Sequence, residues 1–164
     1  MRTESLLATL RDFHRDKLTL RQRHVAVARK VSNYEANNTY QYVINREDVH
    51  LQWLEAAIAE LEGTPDNVPE PSLPGLVWNE SFKPMATEDA NGAQRFVDTW
   101  RPRLAAITHA RHRNMMNVIL GETLEQKRFF NQIAAGNPDV LGRRSNGAGS
   151  PGTGDGVLGV RWIE

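Results

Sequence analysis

An acidic side chain interrupts the apolar stripe of a predicted helix between residues 37 and 62. Apolar residues recur in this segment at the three- and four-residue spacing of one helix face. They are Tyr40, Ile44, Leu51, Leu54, Ile58 and Leu61. Glu47 falls in the same stripe, and His50 follows it at i+3 on the same side of the helix. The pattern therefore predicts a carboxylate and an imidazole turned toward the protein interior.

A second predicted helix, between residues 113 and 135, repeats this design. Its apolar stripe consists of Met115, Ile119, Phe129 and Ile133. Glu122 lies in the matching gap of that stripe, and Glu125 is its i+3 neighbour. When the two segments are aligned on their stripes, Glu122 corresponds to Glu47 and Glu125 corresponds to His50. The sequence thus predicts two acidic side chains that meet in the core.

Carboxylates on a buried helix face need a positive partner, because an unpaired charge there costs several kcal/mol in lost hydration. One solution is a pair of metal ions bound by Glu and His from several helices, as in di-iron and di-manganese bundles. The ligands would be Glu47, His50, Glu122 and Glu125, with His24 of the first helix as a further imidazole. An open coordination position would then allow redox chemistry with oxygen species.

The alternative is a network of ion pairs without metal. If the first two helices turn near residue 34, the neighbour of Glu47 on the first helix is Arg21, and the same count places Arg101 opposite Glu122. Neither partner helix carries a Glu at the matching level, although dinuclear sites in bundles draw carboxylates from those helices as well. Arginine at these positions would neutralise both acids.

Three other histidines are weaker candidates for metal ligands. His14 would reach the same site only if the register of the first two helices were shifted. His109 and His112 have the i, i+3 spacing of a zinc clip, but the arginines around them repel cations.

Composition narrows the functional classes further. The chain has 164 residues, enough for one domain with a substantial core, and its 20 basic and 20 acidic residues cancel. We therefore expect no nucleic-acid binding, since general attraction to a phosphate backbone requires excess positive charge. The chain has no cysteine, so any metal must be held by carboxylate and imidazole. The sequence has no apolar run long enough to cross a membrane, and its first residues do not resemble a signal peptide. We therefore expect a soluble cytoplasmic protein without membrane contact.

The order of the segments predicts two helical hairpins. We expect helices over 3–32, 37–62, 88–110 and 113–135, a proline-rich crossover over 63–86, and a glycine-rich tail over 137–164. Pro102 leaves two alternatives: a third helix kinked at this residue, which gives hairpins of similar height and is preferred, or a long final helix that starts there. Leu76, Val77, Trp78 and Phe82 predict that the crossover lies on the bundle surface.

The tail combines a glycine-rich tether with an apolar end, Val157, Leu158, Val160, Trp162 and Ile163. This end would pack on its own domain or on a second copy, or it would dock on another protein in the manner of peptides that load cargo into bacterial protein shells.

The segments around the two acids carry a resemblance to a known family. Residues 34–61, YEANNTYQYVINREDVHLQWLEAAIAEL, resemble the second helix of ferritin-like proteins of the rubrerythrin and bacterioferritin type. Residues 114–133, NMMNVILGETLEQKRFFNQI, are similar to the fourth helix, with Glu125 where that family has histidine. The resemblance implies an all-α, antiparallel four-helix bundle of two hairpins joined by a long crossover. It also implies a di-iron or di-manganese centre with oxidase, peroxidase or iron-storage chemistry.

Two functions follow as expectations. The first is a ferritin-like metal-binding protein that carries iron or manganese. The second is a metal-free ferritin-like bundle that acts as a structural or protein-interaction module, with buried Glu–Arg pairs in place of the metal. In either case we expect a homodimer.

Overall fold

The structure is a computed structural model that describes residues 3–73, 82–137 and 140–141. These residues form four α-helices and no strand, so the predicted all-α class is confirmed. The helices are α1 (Thr3–Ala28), α2 (Tyr34–Glu60), α3 (Phe82–Ala105) and α4 (Ala110–Ala134). None of these helices combines the length and apolar character that crossing a bilayer requires.

The first connection is made by a short polar segment between Ala28 and Tyr34. The side chain of Asn33 caps α2 by accepting a hydrogen bond of 2.9 Å from the backbone N–H of Ala36. The side chain of Asn37 donates to the carbonyls of Ala28 and Val31 at 2.9 and 3.1 Å. These contacts satisfy backbone groups at both helix ends, and they explain why α1 ends at Ala28 rather than near residue 32.

The third helix begins at Phe82, earlier than the expected residue 88. Pro84 lies in its first turn, where an absent N–H leaves no hydrogen bond unmade. Pro102 lies inside α3, and α4 begins after His109, whose Nδ1 accepts from the backbone N–H of His112. The His109–His112 pair therefore caps a helix.

Two hydrophobic clusters fill the interior. The first is centred on Phe13, Leu54 and Trp100, and the Phe13 and Trp100 rings meet edge-on at 4.9 Å. The second is centred on Tyr40 and Phe130, whose ring centroids are 5.0 Å apart. Helix α1 packs mainly on α2 and α3 mainly on α4, with further contacts between α1 and α3 and between α2 and α4.

The crossover follows α1 for part of its length. Asp66 pairs with Arg11 at 2.7 Å, Gln22 donates to the Val68 carbonyl at 2.6 Å, and Glu70 pairs with Arg29 at 2.7 Å. Residue numbers thus rise together along the crossover and α1.

Two of the expectations for surface segments fall outside the described residues. They are the packing of Leu76, Val77 and Trp78 and the docking of the apolar tail from Val157 to Ile163. Phe82, the fourth apolar residue expected to pack, is buried as the first residue of α3.

Candidate functional site

Polar residues occupy the interior between the two hydrophobic clusters. On α1, Lys17 and His24 lie between Phe13 of the first cluster and Val27 of the second. The same order holds on α2 and α4. The buried polar residues there are Glu47 and His50 on α2, and Thr123 and Gln126 on α4. The helices therefore bring these side chains to one level of the fold, which we call the polar layer.

Glu47 is at the centre of the polar layer and is fully buried. Its Oε1 lies 2.7 Å from Nδ1 of His24, and its Oε2 lies 3.2 Å from Nζ of Lys17. The lysine contact is an ion pair rather than an aligned hydrogen bond, because Oε2 has no partner with hydrogen-bond geometry. Both side chains that contact this carboxylate come from α1.

Lys17 is the main cation of the polar layer and is also fully buried. Its Nζ donates to Oγ1 of Thr123 at 3.1 Å and to Oε1 of Gln126 at 3.3 Å. With Glu47, the ammonium group has three oxygen neighbours, of which Thr123 and Gln126 accept hydrogen bonds. Its Nζ also lies 5.5 Å from the ring centroid of Phe96 on α3. One side chain of α1 thus contacts the three other helices.

A second buried acid extends the layer to α3. Asp89 accepts a hydrogen bond of 2.7 Å from Nε of Arg23 and another from the hydroxyl of Tyr40. Its Oδ1 also lies 3.9 Å from Nε2 of His24, so this imidazole stands between two carboxylates. Burial, together with the charge of Asp89, raises the pKa of Tyr40 well above its ordinary value. The phenol stays protonated and donates to Asp89.

The contacts with His24 and Lys17 decide the ionisation of Glu47. Burial alone would raise the pKa of this carboxyl group, because it removes the charged form from water. The nearby His24 and Lys17 outweigh burial and hold the pKa below 4.5. Glu47 is therefore a carboxylate at neutral pH, neutralised by side chains of its own chain.

Glu122 has different partners. Arg46 binds both of its carboxylate oxygens, at 2.6 and 2.9 Å, and Nε2 of His50 lies 3.1 Å from Oε1. The Arg46 hydrogen bonds are the main reason why the pKa of Glu122 falls to about 2. Burial, together with the charge of Lys17, lowers the pKa of His50, although Glu122 raises it. Arg46 is therefore the cation that neutralises Glu122.

The remaining predicted partners lie elsewhere. Glu125 is exposed and pairs with Arg128 on its own helix. Arg21 pairs with Asp48 at 2.9 Å at the edge of the α1–α2 contact, and Arg101 is exposed. The arginines expected opposite the two acids do not contact them, because α1 presents Lys17 and His24 to Glu47 and α2 supplies Arg46 to Glu122.

The geometry does not fit a dinuclear metal centre. Within residues 3–73, 82–137 and 140–141, no three His, Asp or Glu side chains converge where they could hold a metal ion. The ammonium of Lys17 lies against Glu47 and would repel a cation placed there. Glu125 faces away from the core. His24 contacts Glu47, and His50 contacts Glu122, so the five predicted ligands form two separate pairs and one outward acid.

Sequence reasoning missed Lys17, Arg46, Asp89, Thr123 and Gln126. A signal for Lys17 exists, since it falls in the α1 stripe of Leu10, Phe13 and Val27 as Glu47 falls in the α2 stripe. Comparisons with models of known families, with characterised proteins and with solved structures find no match to this chain.

Replacing Lys17 tests the polar layer directly. Lys17→Met should lower the free energy of unfolding by about 3–5 kcal/mol, because it leaves Glu47 buried without its main cation. Adding Glu47→Gln should recover part of the loss. Urea unfolding of the single and double variants provides the measurement.

The matched control is Arg128→Met, which breaks the exposed Arg128–Glu125 pair. It should change stability by at most about 1 kcal/mol. If Lys17→Met lowers the free energy of unfolding by no more than this control does, the assigned role of the lysine is contradicted.

Glu122 predicts a pH dependence of stability. Its pKa is about 2 in the folded chain against an ordinary value of 4.5, so its stabilising contribution is complete above pH 4.5 and is lost as the pH falls toward 2. Unfolding midpoints measured across this range should fall more steeply for the natural chain than for Glu122→Gln. Parallel curves would show that Glu122 contributes nothing to the acid response.

Proposed function

We propose that this chain is a ferritin-like four-helix bundle that works without metal, as a structural and protein-interaction module. Its positive charge at the centre is the ammonium of Lys17. The observation that carries the proposal is that Lys17 is buried with Glu47 at 3.2 Å, where a metal-binding relative would need a metal ion.

The ferritin-like arrangement is supported by which helix ends share a cluster. The second cluster joins Val27 near the end of α1, Ala36 near the start of α2, Phe82 at the start of α3 and Ile133 near the end of α4. Neighbouring helices then run in opposite directions, and α2 and α3 run in the same direction. A crossover that climbs along α1 suits this order, because it returns the chain to the end where α2 began.

The metal-free state is supported by the way in which the lysine is held. A metal ion at Glu47 would have to displace an ammonium group that already has three oxygen neighbours. The displaced charge would then be left in the interior without a counter-charge, which costs several kcal/mol. These contacts therefore favour the ammonium of Lys17 as a permanent cation of the core over an exchangeable metal ion.

A structural role also agrees with what the polar layer does. Its contacts join all four helices through directional interactions, from Lys17 to α2 and α4 and from Arg23 to Asp89 of α3. Directional contacts of this kind fix the register of helices that apolar packing alone would allow to slide. We propose that the resulting rigid helix surface presents the binding site for another protein molecule.

Metal analysis of the natural chain tests this proposal. Protein purified without chelators and without a metal-affinity step should contain far less than one iron, manganese or zinc ion per chain. Its melting temperature should not change when these ions are added. A stoichiometric metal content would overturn the metal-free proposal and favour the ferritin-like metalloprotein instead.

The variant Lys17→Glu provides a matched test of the same position. It replaces the ammonium with a carboxylate that faces Glu47 and His24, so the core should now require an added cation. We expect Mn²⁺ or Zn²⁺ to raise the melting temperature of this variant, or to be needed for its folding, while the natural chain does not respond. Equal responses of the two proteins would contradict the assignment of Lys17 as the resident cation.

A further inference from the structure

The outer face formed by α2 and α4 carries exposed large apolar side chains. Tyr42 is 44% exposed and Trp53 is 38% exposed on α2, and Val118 is 54% exposed on α4. Scattered single residues of this kind are common on protein surfaces, but neighbouring ones indicate an interaction surface.

Contacts between the two helices show which of these residues are neighbours. Tyr42 packs edge-on against Phe129 with ring centroids 5.7 Å apart, and Glu60 pairs with Arg111 at 2.7 Å. Residue numbers therefore rise along α2 as they fall along α4. The same register places Trp53 level with Val118. The exposed apolar residues therefore form two patches, Tyr42 with Phe129 and Trp53 with Val118, on either side of the Arg46–Glu122 pair. We call the outer surface that carries both patches the α2–α4 face.

A glycine lies beside the centre of this face. Gly121 is exposed in the middle of α4, one turn from Val118, and a Cβ placed there would meet nothing within 4 Å. Glycine inside an exposed helix is less stable than alanine by about 1 kcal/mol. No contact within the described part of the chain requires it. A bare backbone at this point would let another helix approach closely.

The charged residues of the face are already paired within the chain. Arg46 binds Glu122, Arg111 binds Glu60, and Arg128 binds Glu125. The face is therefore electrically balanced, and a strongly charged partner would gain little from it. Two identical faces of this kind carry no net charge with which to repel each other, which favours a second copy of the chain as the partner.

The size of the face also suits a dimer. Helices of 27 and 25 residues are about 40 Å long, and two side by side are about 20 Å wide. The face thus offers about 800 Å² per subunit, the amount that stable protein interfaces commonly bury.

From these observations we infer that the α2–α4 face binds the same face of a second copy, with the two α4 helices crossing near Gly121 about a two-fold axis. Trp53 and Val118 of each copy would be covered by the other. The inference rests on the proposed interaction role and names its partner.

Sedimentation or light scattering with size exclusion tests this interface. The natural chain should be a dimer, and both Gly121→Gln and Val118→Glu should make it monomeric. Gly121→Gln adds a helix-favouring side chain in open space, so the monomer should stay folded, with the helix content of the natural chain by circular dichroism. This separates loss of the interface from loss of the fold.

The control is Thr99→Gln on the exposed side of α3, which should leave the dimer intact. A monomeric natural chain would overturn the inference and leave a different protein as the partner of this face. A dimer that survives both α4 variants would overturn the assignment of the interface. Neither result changes the expected metal content, so failure of this inference is distinguishable from failure of the metal-free proposal.

Discussion

The ion pair between Lys17 and Glu47 is the interaction on which the rest of this structure depends. A carboxylate fully removed from water is tolerable only beside positive charge, and here Lys17 of α1 provides it, while His24 of the same helix contacts the other carboxylate oxygen. This requirement fixes the distance and register between α1 and α2. Because the same ammonium also binds Thr123 and Gln126, it ties α4 to the first two helices.

The layered interior follows from this constraint. Apolar clusters above and below the polar layer exclude water from it, which strengthens its electrostatic contacts and makes any missing partner costly. His24 links the two buried acids, Glu47 and Asp89, and Arg23 connects the second acid to the protein surface. The bundle is thus specified by matching charges at one level and by apolar packing elsewhere. A core of this kind gives rigid helix faces on which an interaction surface can be built.

Helical periodicity was enough to predict the four helices and the burial of Glu47, because a residue in an apolar stripe must face the core. It also predicted that a positive group would accompany Glu47. It could not identify that group, since rotating α1 by part of a turn decides whether Arg21 or Lys17 points inward. Arg46 was missed for a similar reason: it lies outside the apolar stripe, and its long side chain reaches Glu122 across the seam between two helices. Tertiary contacts of this kind cannot be predicted from the spacing of apolar residues along a single helix.

The ionisation state of Glu47 tests this account most directly. Carbon-13 NMR of the glutamate carboxyl groups, with Glu47→Gln to assign the signal, reports its titration in protein prepared without metal. We expect a carboxylate at neutral pH that titrates below the ordinary pKa of 4.5 and whose signal does not shift when Mn²⁺ or Zn²⁺ is added. A Glu47 that is protonated at neutral pH, or whose signal responds to stoichiometric metal, would contradict the claim that Lys17 is its permanent counter-ion.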